Sequence, residues 1–156
     1  MVTTQLGAIL QELGKSTLIP IKDLRPDRNN SCLVRLKGGF EIQLELDRTG
    51  QSLVIGCDLG SIPPGKYREN LFREALKSNG LPHPRFGTFA YSKQTDHLVL
   101  FDTLNAKDLS GENVAEYLVH FVDKLIIWRN AIDGSNIPTI SSIRTSKLGG
   151  IFGLTP

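Results

Sequence analysis

The segment from Phe40 to Leu46, FEIQLEL, alternates apolar and polar residues at every position. Because successive side chains of a β-strand point to opposite faces of the sheet, this pattern predicts a strand with one buried face and one face in water. Two glycines, Gly38 and Gly39, precede the segment, and the polar turn 47–50 follows it. Glycine accepts the positive φ of tight hairpin turns. The chain is therefore expected to build an antiparallel sheet with one covered face.

Further strand-like runs accompany the alternating segment. Cys32–Leu36 precedes it and Ser52–Leu59 follows it, which predicts a three-stranded meander. Later in the chain, Arg85–Tyr91 and His97–Thr103 form a second pair, joined by the polar turn Ser92–Asp96. These five strands are close enough along the chain to belong to one sheet.

Amphipathic helices are predicted near both ends of the chain. The first is capped by Thr3 or Thr4, runs to about Leu13 and is ended by Gly14. Its apolar residues fall at helical spacing, at Leu6, Ile9, Leu10 and Leu13. The last helix is predicted from Gly111 to about Ile132, with a broad apolar face.

A central helix is predicted within Ser61–Gly80. Pro63 and Pro64 suit its first turn, where a missing N–H has no intrahelical partner, and Asn79 with Gly80 suits a left-handed stop. Its apolar stripe comprises Tyr67, Leu71, Phe72, Ala75 and Leu76.

The element order is therefore α-β-β-β-α-β-β-α, which predicts an α+β fold with a twisted, mainly antiparallel sheet packed against helices. We expect one domain over residues 1–133, since 156 residues suit a single core. Residues 134–156 are rich in Ser, Thr and Gly, and we expect a flexible or extended C-terminal tail. Its apolar end, Ile151 and Phe152, suggests that the tail docks in an apolar groove.

Composition excludes several classes of protein. The net charge of +2 and the scattered basic residues argue against nucleic-acid binding. No apolar run is long enough for a membrane span, and no secretory signal pattern opens the chain. The two cysteines, Cys32 and Cys57, lie in strand-like runs, so we expect buried free thiols in a cytosolic setting.

The search for a catalytic or metal site gives weak candidates. The tripeptide Gly14-Lys15-Ser16 belongs to the phosphate-loop pattern, but Ile9 stands where that motif needs glycine. His83, His97 and His120 lack the close spacing of helical or finger zinc sites. We therefore predict no enzyme, no catalytic residue, no cofactor and no metal.

Four stretches in order carry a resemblance to a known family. They are LGAILQELG, LGSIPPGKYRENLFREALKSNG, GTFAYSKQTDHLVLFDTL and FVDKLIIWRNAI, within Leu6 to about Ile132. In this order and spacing, the chain resembles the class I type III secretion chaperones, also called the Tir chaperone family. The resemblance implies a small homodimer without enzymatic activity in the bacterial cytoplasm. It would bind the non-globular N-terminal segment of a secreted effector, keep it secretion-competent and target it to the secretion apparatus.

The resemblance also implies roles for particular residues. The effector-binding residues would be Leu6, Ile9, Leu10, Leu13, Leu33, Ile42 and Leu44. The dimer interface would use Tyr67, Leu71, Phe86 and Phe89, while Phe72, Ala75 and Leu76 would face inward. The partner in the dimer is either a second copy or a related chaperone. The alternative function is a non-enzymatic regulatory or scaffold module of the same fold.

Overall fold

The alternating segment lies second in a five-stranded sheet of the computed structural model, which describes residues 4–19, 21, 24–36 and 38–139. The elements in chain order are α1 (Gln5–Lys15), β1 (Ser31–Arg35), β2 (Glu41–Leu46), β3 (Ser52–Ser61), α2 (Lys66–Asn79), β4 (Thr88–Ser92), β5 (His97–Asn105) and α3 (Gly111–Asp133). The strand order is β1-β2-β3-β5-β4, and every pairing is antiparallel. This confirms the predicted α+β class and element order.

One face of the sheet carries the core. Ile42 and Leu44 of β2 are completely buried, as the alternation predicts, while Glu41 and Glu45 face solvent. The helix α3 supplies the largest buried side chain, Trp128, and the Trp128 ring lies 4.2 Å from the ring of Phe89 on β4. Fully burying one such apolar side chain contributes about 1.5–3 kcal/mol, so this face accounts for much of the stability.

The helices α1 and α3 cross in close backbone contact at Gly111. A Cβ atom at this position would lie 2.4 Å from the backbone nitrogen of Leu13 and 2.5 Å from the carbonyl oxygen of Ile9. The Gly111 N–H also donates to Oε2 of Glu12 at 2.8 Å. A side chain at position 111 would therefore push the two helices apart.

The ends of the first helix and of the central helix differ from the sequence prediction. Gly14 lies inside α1, because the helix ends only where Ser16 adopts an extended conformation. The helix α2 begins at Lys66, after the N-cap residue Gly65, which has φ 145°, so the two preceding prolines lie outside the helix. The predicted left-handed stop is wrong, since Gly80 has φ −82° and is right-handed.

The start of one strand was also predicted incorrectly, and most of the expected tail lies outside the described residues. The strand β4 starts at Thr88 rather than Arg85, because Phe86 and Gly87 have positive φ values of 52° and 125° that break the extended chain. The last helix ends at Asp133, followed by a described segment to residue 139. The predicted tail residues from 140 to 156 lie outside the described residues.

Candidate binding surfaces

The outer face of the sheet, opposite the helices, carries exposed apolar side chains. The strand register aligns Leu33, Gln43, Gly56, Phe101 and Thr88 in one row across all five strands. Leu33 is 48% exposed and Phe101 is 37% exposed. An exposed apolar row in the middle of a sheet is a feature of surfaces that bind other proteins.

A depression opens in the middle of this row, at Gly56 of β3. Adding a Cβ atom there would bring no atom within 4 Å, so the space above Gly56 is empty on the sheet surface. We call this depression, of about 510 Å³, the Gly56 groove. Its lining includes Leu33, Gln43, Gly56, Val99, Phe101 and Arg129.

The groove widens where two strands diverge. The pairing of β2 with β3 ends at Ile42 and Cys57, whereas β3 continues beside β5 through a bulge between Asp58 and Gly60. On the freed side of β3, Nη2 of Arg129 donates to the carbonyl oxygen of Asp58 at 3.4 Å. The end of the β2–β3 pairing and the bulge in the β3–β5 pairing together leave an irregular surface at this point.

Carboxylates surround the mouth of the groove. Glu41 lies 3.3 Å from Nε of Arg35, and Oδ2 of Asp58 lies 2.7 Å from Nδ1 of His97. These groups are largely exposed, so their ion pairs add little to stability. The groove therefore combines an apolar floor with a polar, partly acidic rim.

The free edge of β1 lies beside the exposed end of the row. Asp27 occupies its first position, because the Ser31 N–H donates to Oδ1 of Asp27 at 3.1 Å and the Asp27 N–H donates to the Ser31 carbonyl oxygen at 2.8 Å. The Ser31 hydroxyl and the backbone N–H groups of Ser31 and Asn29 lower the pKa of the Asp27 carboxyl by donating to it. The backbone groups of Leu33 and Arg35 point away from β2, as those of Ser31 do, and no described residue pairs with them on that side. This edge is open to an added strand.

The residues predicted to bind the effector differ in how exposed their side chains are. Among them, Leu33 alone is exposed. The others are at most 4% exposed and form the core beneath the sheet, namely Leu6, Ile9, Leu10, Leu13, Ile42 and Leu44. Sequence reasoning missed Gly56 and Phe101 as surface residues. Gly56 interrupts the pattern of β3, and an isolated glycine within a strand is a signal of close backbone approach that could have pointed to the groove.

A second exposed apolar surface lies on α2 and the edge strand β4. Leu76 is 70% exposed, which corrects the prediction that it faces inward. The guanidinium carbon of Arg68 lies 5.1 Å from the ring centres of both Phe72 and Tyr91. Nη2 of Arg68 also lies 3.0 Å from Oδ1 of Asp96. We call Arg68, Phe72, Leu76 and Tyr91 the α2 surface.

Hydrogen bonds to the ionised Asp96 carboxylate stabilise the α2 surface. The Tyr91 hydroxyl donates to Oδ1 of Asp96, and the Arg68 guanidinium donates to the same oxygen. Both donors lower the pKa of the Asp96 carboxyl, with the tyrosine as the larger cause. The aromatic and cationic side chains of this surface are therefore held in place before any partner binds.

The edge of β4 is closed at its centre by a side chain from α2. Nδ2 of Asn79 donates to the Phe89 carbonyl oxygen at 2.9 Å, and the Phe89 N–H donates to Oδ1 of Asn79 at 2.8 Å. The amide therefore takes the place of a neighbouring strand. A partner that contacts this side must do so mainly through side chains.

The predicted dimer residues have mostly intrachain contacts. Leu71 is completely buried and Phe89 is 5% exposed, so neither presents its side chain on the surface of a single chain. Phe86 stacks on His120 with 4.3 Å between ring centres. The hydroxyl of Tyr67 lies within hydrogen-bond distance of the carbonyl oxygens of Ala131 and Asn136. Leu76, which was expected to face inward, is therefore exposed, and Leu71, which was expected to meet a partner, is buried.

The buried ionisable groups of the described chain include two thiols and one ammonium group. Cys32 and Cys57 are buried free thiols, and burial raises the pKa of Cys57 to about 11, which disfavours the nucleophilic thiolate. Lys124 donates to the carbonyl oxygens of Arg85 and Gly87 at 3.1 and 2.9 Å. Within the part of the chain that the structure describes, no group of three potential metal ligands occurs. No helix there is long and apolar enough to cross a membrane.

Fold and surfaces together define an α+β protein whose five-stranded sheet has one helix-covered face and one exposed face, on which Leu33 and Phe101 lie among polar residues. The family model of the Tir chaperone protein (CesT) family matches residues 8–129. The chain therefore belongs to the Tir chaperone (CesT) family. A search of curated proteins gives no match.

Solved structures of low sequence identity share the fold. A chain of the HopA1–SchA chaperone–effector complex has a TM-score of 0.65 at 14% identity, covering 81% of this chain and 94% of that one. The Yersinia pestis type III secretion chaperone SycH, solved with a stable fragment of YscM2, gives a TM-score of 0.58 at 20% identity, with 78% and 97% covered. A chain of the ExsC–ExsE complex gives 0.61 at 16% identity, with 84% and 96% covered.

Proposed function

We propose that this chain is a cytoplasmic chaperone of a bacterial type III secretion system. It binds the non-globular N-terminal segment of one or more secreted effectors, keeps that segment competent for secretion and targets it to the secretion apparatus. It acts by binding rather than by catalysis. The observation that carries the proposal is the match to the Tir chaperone family over residues 8–129.

The exposed sheet face supports a physical mechanism for this binding. An extended effector segment adds beside the open edge of β1, where the outward backbone groups of Leu33 and Arg35 pair with it. Apolar side chains of the added strand cover Leu33 on β1, and a following part of the segment crosses the sheet to cover Phe101 on β5, which removes apolar area from water. The buried residues of α1 and β2 named in the sequence prediction act from beneath, by keeping this face rigid.

We further propose that the α2 surface joins the chain to a second copy of itself. Leu76, Phe72 and Tyr91 form an apolar area with a fixed cation, Arg68, and aromatic residues with arginine are enriched at protein interfaces. Two-fold pairing lets each copy meet the same surface of the other. A related chaperone with a matching surface would give the heterodimer instead.

Capture of partners with matched surface variants tests the effector-binding proposal. The full-length tagged chain is expressed in a bacterium that has a type III secretion system, and co-purifying proteins are identified by mass spectrometry. We expect secreted proteins that bind through their N-terminal segments. Phe101→Asp and Leu33→Asp should weaken this binding by about tenfold or more, because each places a charge at an apolar contact.

The matched control is Ile127→Asp on α3, since Ile127 is 37% exposed, as is Phe101, but lies on the opposite side of the molecule. Its binding should equal that of the unmodified chain. Retained binding in Phe101→Asp and Leu33→Asp would exclude the outer sheet face as the effector site. Capture of a folded protein that is never secreted would indicate the regulatory or scaffold module instead.

A further inference from the structure

The Gly56 groove has unfilled space directly above Gly56. Along the row, Gln43 and Phe101 are the neighbours of Gly56 in the strand register, yet neither side chain comes within 4 Å of a Cβ atom built on Gly56. In antiparallel sheets, a glycine of this kind is stabilised when an aromatic ring covers it. The groove therefore has room for one bulky apolar side chain over Gly56.

Residues near the end of the described chain are linked to one end of the groove. Arg129, in the last turns of α3, lines the groove and contacts Asp58. Beyond α3, the chain turns back, and the carbonyl oxygen of Asn136 accepts from the Tyr67 hydroxyl at 3.0 Å. Tyr67 is followed by Arg68, which pairs with Asp96 next to His97, the partner of Asp58. Three polar contacts and two pairs of chain neighbours thus link Asn136 to Asp58 at the rim of the groove.

The remaining residues, 140–156, are long enough to reach the groove and chemically suited to it. At ~3.3 Å per extended residue, a segment of this length spans ~50 Å. It contains Arg144 and Lys147 but no acidic residue. The rim carboxylates Glu41 and Asp58 already pair with Arg35 and His97, so the apolar end of the segment is what suits the groove. Its end contains Phe152, beside Ile151 and between glycines that let the backbone approach a surface closely.

We propose that residues 140–156 dock in the Gly56 groove of their own chain, with the Phe152 ring over Gly56. The segment and an effector then compete for the same surface. Docking is independent of the proposed function, but competition with an effector rests on it.

Limited trypsin digestion of the full-length chain tests docking, because Arg144 and Lys147 are cleavage sites within the segment. Gly56→Val fills the groove, and no atom lies near the added Cβ, so the fold should be retained. Phe152→Ser removes the anchor. Both variants should accelerate cleavage in the segment by about tenfold, since proteolysis follows the population of the undocked state and a buried Phe side chain is worth more than that factor.

The control is Thr103→Val, which introduces the same residue on the same sheet face but outside the groove lining. It should be cleaved at the rate of the unmodified chain. The double variant Gly56→Val with Phe152→Ser should be cleaved no faster than either single variant, because both remove the same contact. Equal cleavage rates in the unmodified chain and both single variants would overturn docking.

Disulfide trapping then shows whether the tail binds its own chain. With Phe152 kept as the anchor, Gln43→Cys with Leu154→Cys should form an intrachain disulfide under mild oxidation, while Glu112→Cys with Leu154→Cys, at an exposed site on α3, should not. The native thiols are buried and should not compete. A disulfide that forms mainly between two chains would overturn docking within one chain.

The effector segment recovered by capture separates this proposal from the proposed function. Adding it should accelerate tail cleavage in the unmodified chain, and Phe152→Ser should bind it more tightly. A chain that binds the effector while Gly56→Val leaves tail cleavage unchanged would refute docking and leave the chaperone function intact. A docked tail on a chain that captures no effector would refute the function and leave docking intact.

Discussion

Lys124 shows how a single side chain in the interior connects stability to pH. Its ammonium group lies against the carbonyl oxygens of Arg85 and Gly87 and 5.0 Å from the Phe89 ring centre. Burial, together with the nearby Arg85 cation, lowers its pKa from 10.5 to about 8. The two carbonyl contacts hold the connector between α2 and β4 against α3, so the residue is retained although its charge is partly desolvated.

The lowered pKa predicts a stability that rises with pH. Between pH 8 and 10.5 the unfolded chain keeps the Lys124 proton while the folded chain releases it, so raising the pH favours folding. From pH 7.5 to 9.5 the contribution is about 2 kcal/mol. Urea unfolding of the unmodified chain and of Lys124→Met at both pH values measures this contribution as the difference between their pH dependences.

The comparison between the two chains is needed because Cys57 acts in the opposite direction. Its pKa is raised to about 11, so its contribution to stability is lost as pH rises above 9. This contribution is common to both chains and cancels in the difference. Identical pH dependence of the two chains would contradict the role given to Lys124.

At the scale of the elements, two glycines in helices have opposite environments. Gly14 in α1 is exposed, and a Cβ atom there would have no atom within 4 Å. Gly111 at the start of α3 lies where a Cβ atom would meet the α1 backbone at 2.4 Å. Helix propensity favours alanine at both positions, so any difference between the substitutions comes from tertiary contact.

Alanine substitution at these two positions should therefore change stability in opposite directions. Gly14→Ala should stabilise the chain by about 0.5–1 kcal/mol, the propensity gain alone. Gly111→Ala should destabilise it by about 1–3 kcal/mol, because α1 and α3 must separate. Thermal and urea unfolding check both values, and a stabilising Gly111→Ala would show that the helices do not cross as closely as described.

Packing across the whole molecule determines which side chains of α2 are exposed to a partner. The prediction from sequence placed Leu71 at the dimer interface and Leu76 inside, but Leu71 is completely buried and Leu76 is 70% exposed. Both lie on one apolar stripe, and helical spacing cannot tell which side of that stripe meets the sheet. The helix packs against β4 through the side that carries Leu71 and Ala75.

Arginine at these two positions should separate folding from assembly. Leu71→Arg should unfold the chain, since an unpaired charge in the core costs more than about 4 kcal/mol. Leu76→Arg should leave a folded chain, because an exposed substitution changes stability by only about 0.5 kcal/mol. If the α2 surface forms the dimer, light scattering should find Leu76→Arg monomeric and the unmodified chain dimeric. A dimeric Leu76→Arg would move the interface elsewhere.

The sequence by itself determined the elements and their class. Alternation in FEIQLEL, paired glycines and capping residues are local signals, and they act within a few residues of the chain. They therefore predicted the α+β order and the buried face of β2, which the structure confirms. The resemblance carried by four stretches in order predicted the family, which the family match confirms.

Only the tertiary structure decided which apolar residues remain exposed. A Leu in an amphipathic stripe has the same local pattern whether it faces the core or a partner, and the choice depends on distant elements that cover it. The α1 leucines are hidden by packing between α1, α3 and the sheet, whereas Leu33 and Phe101 are exposed because none of the described helices and strands covers the outer face. Gly56 forms a groove only because strand pairing places it between Gln43 and Phe101, residues far from it along the chain.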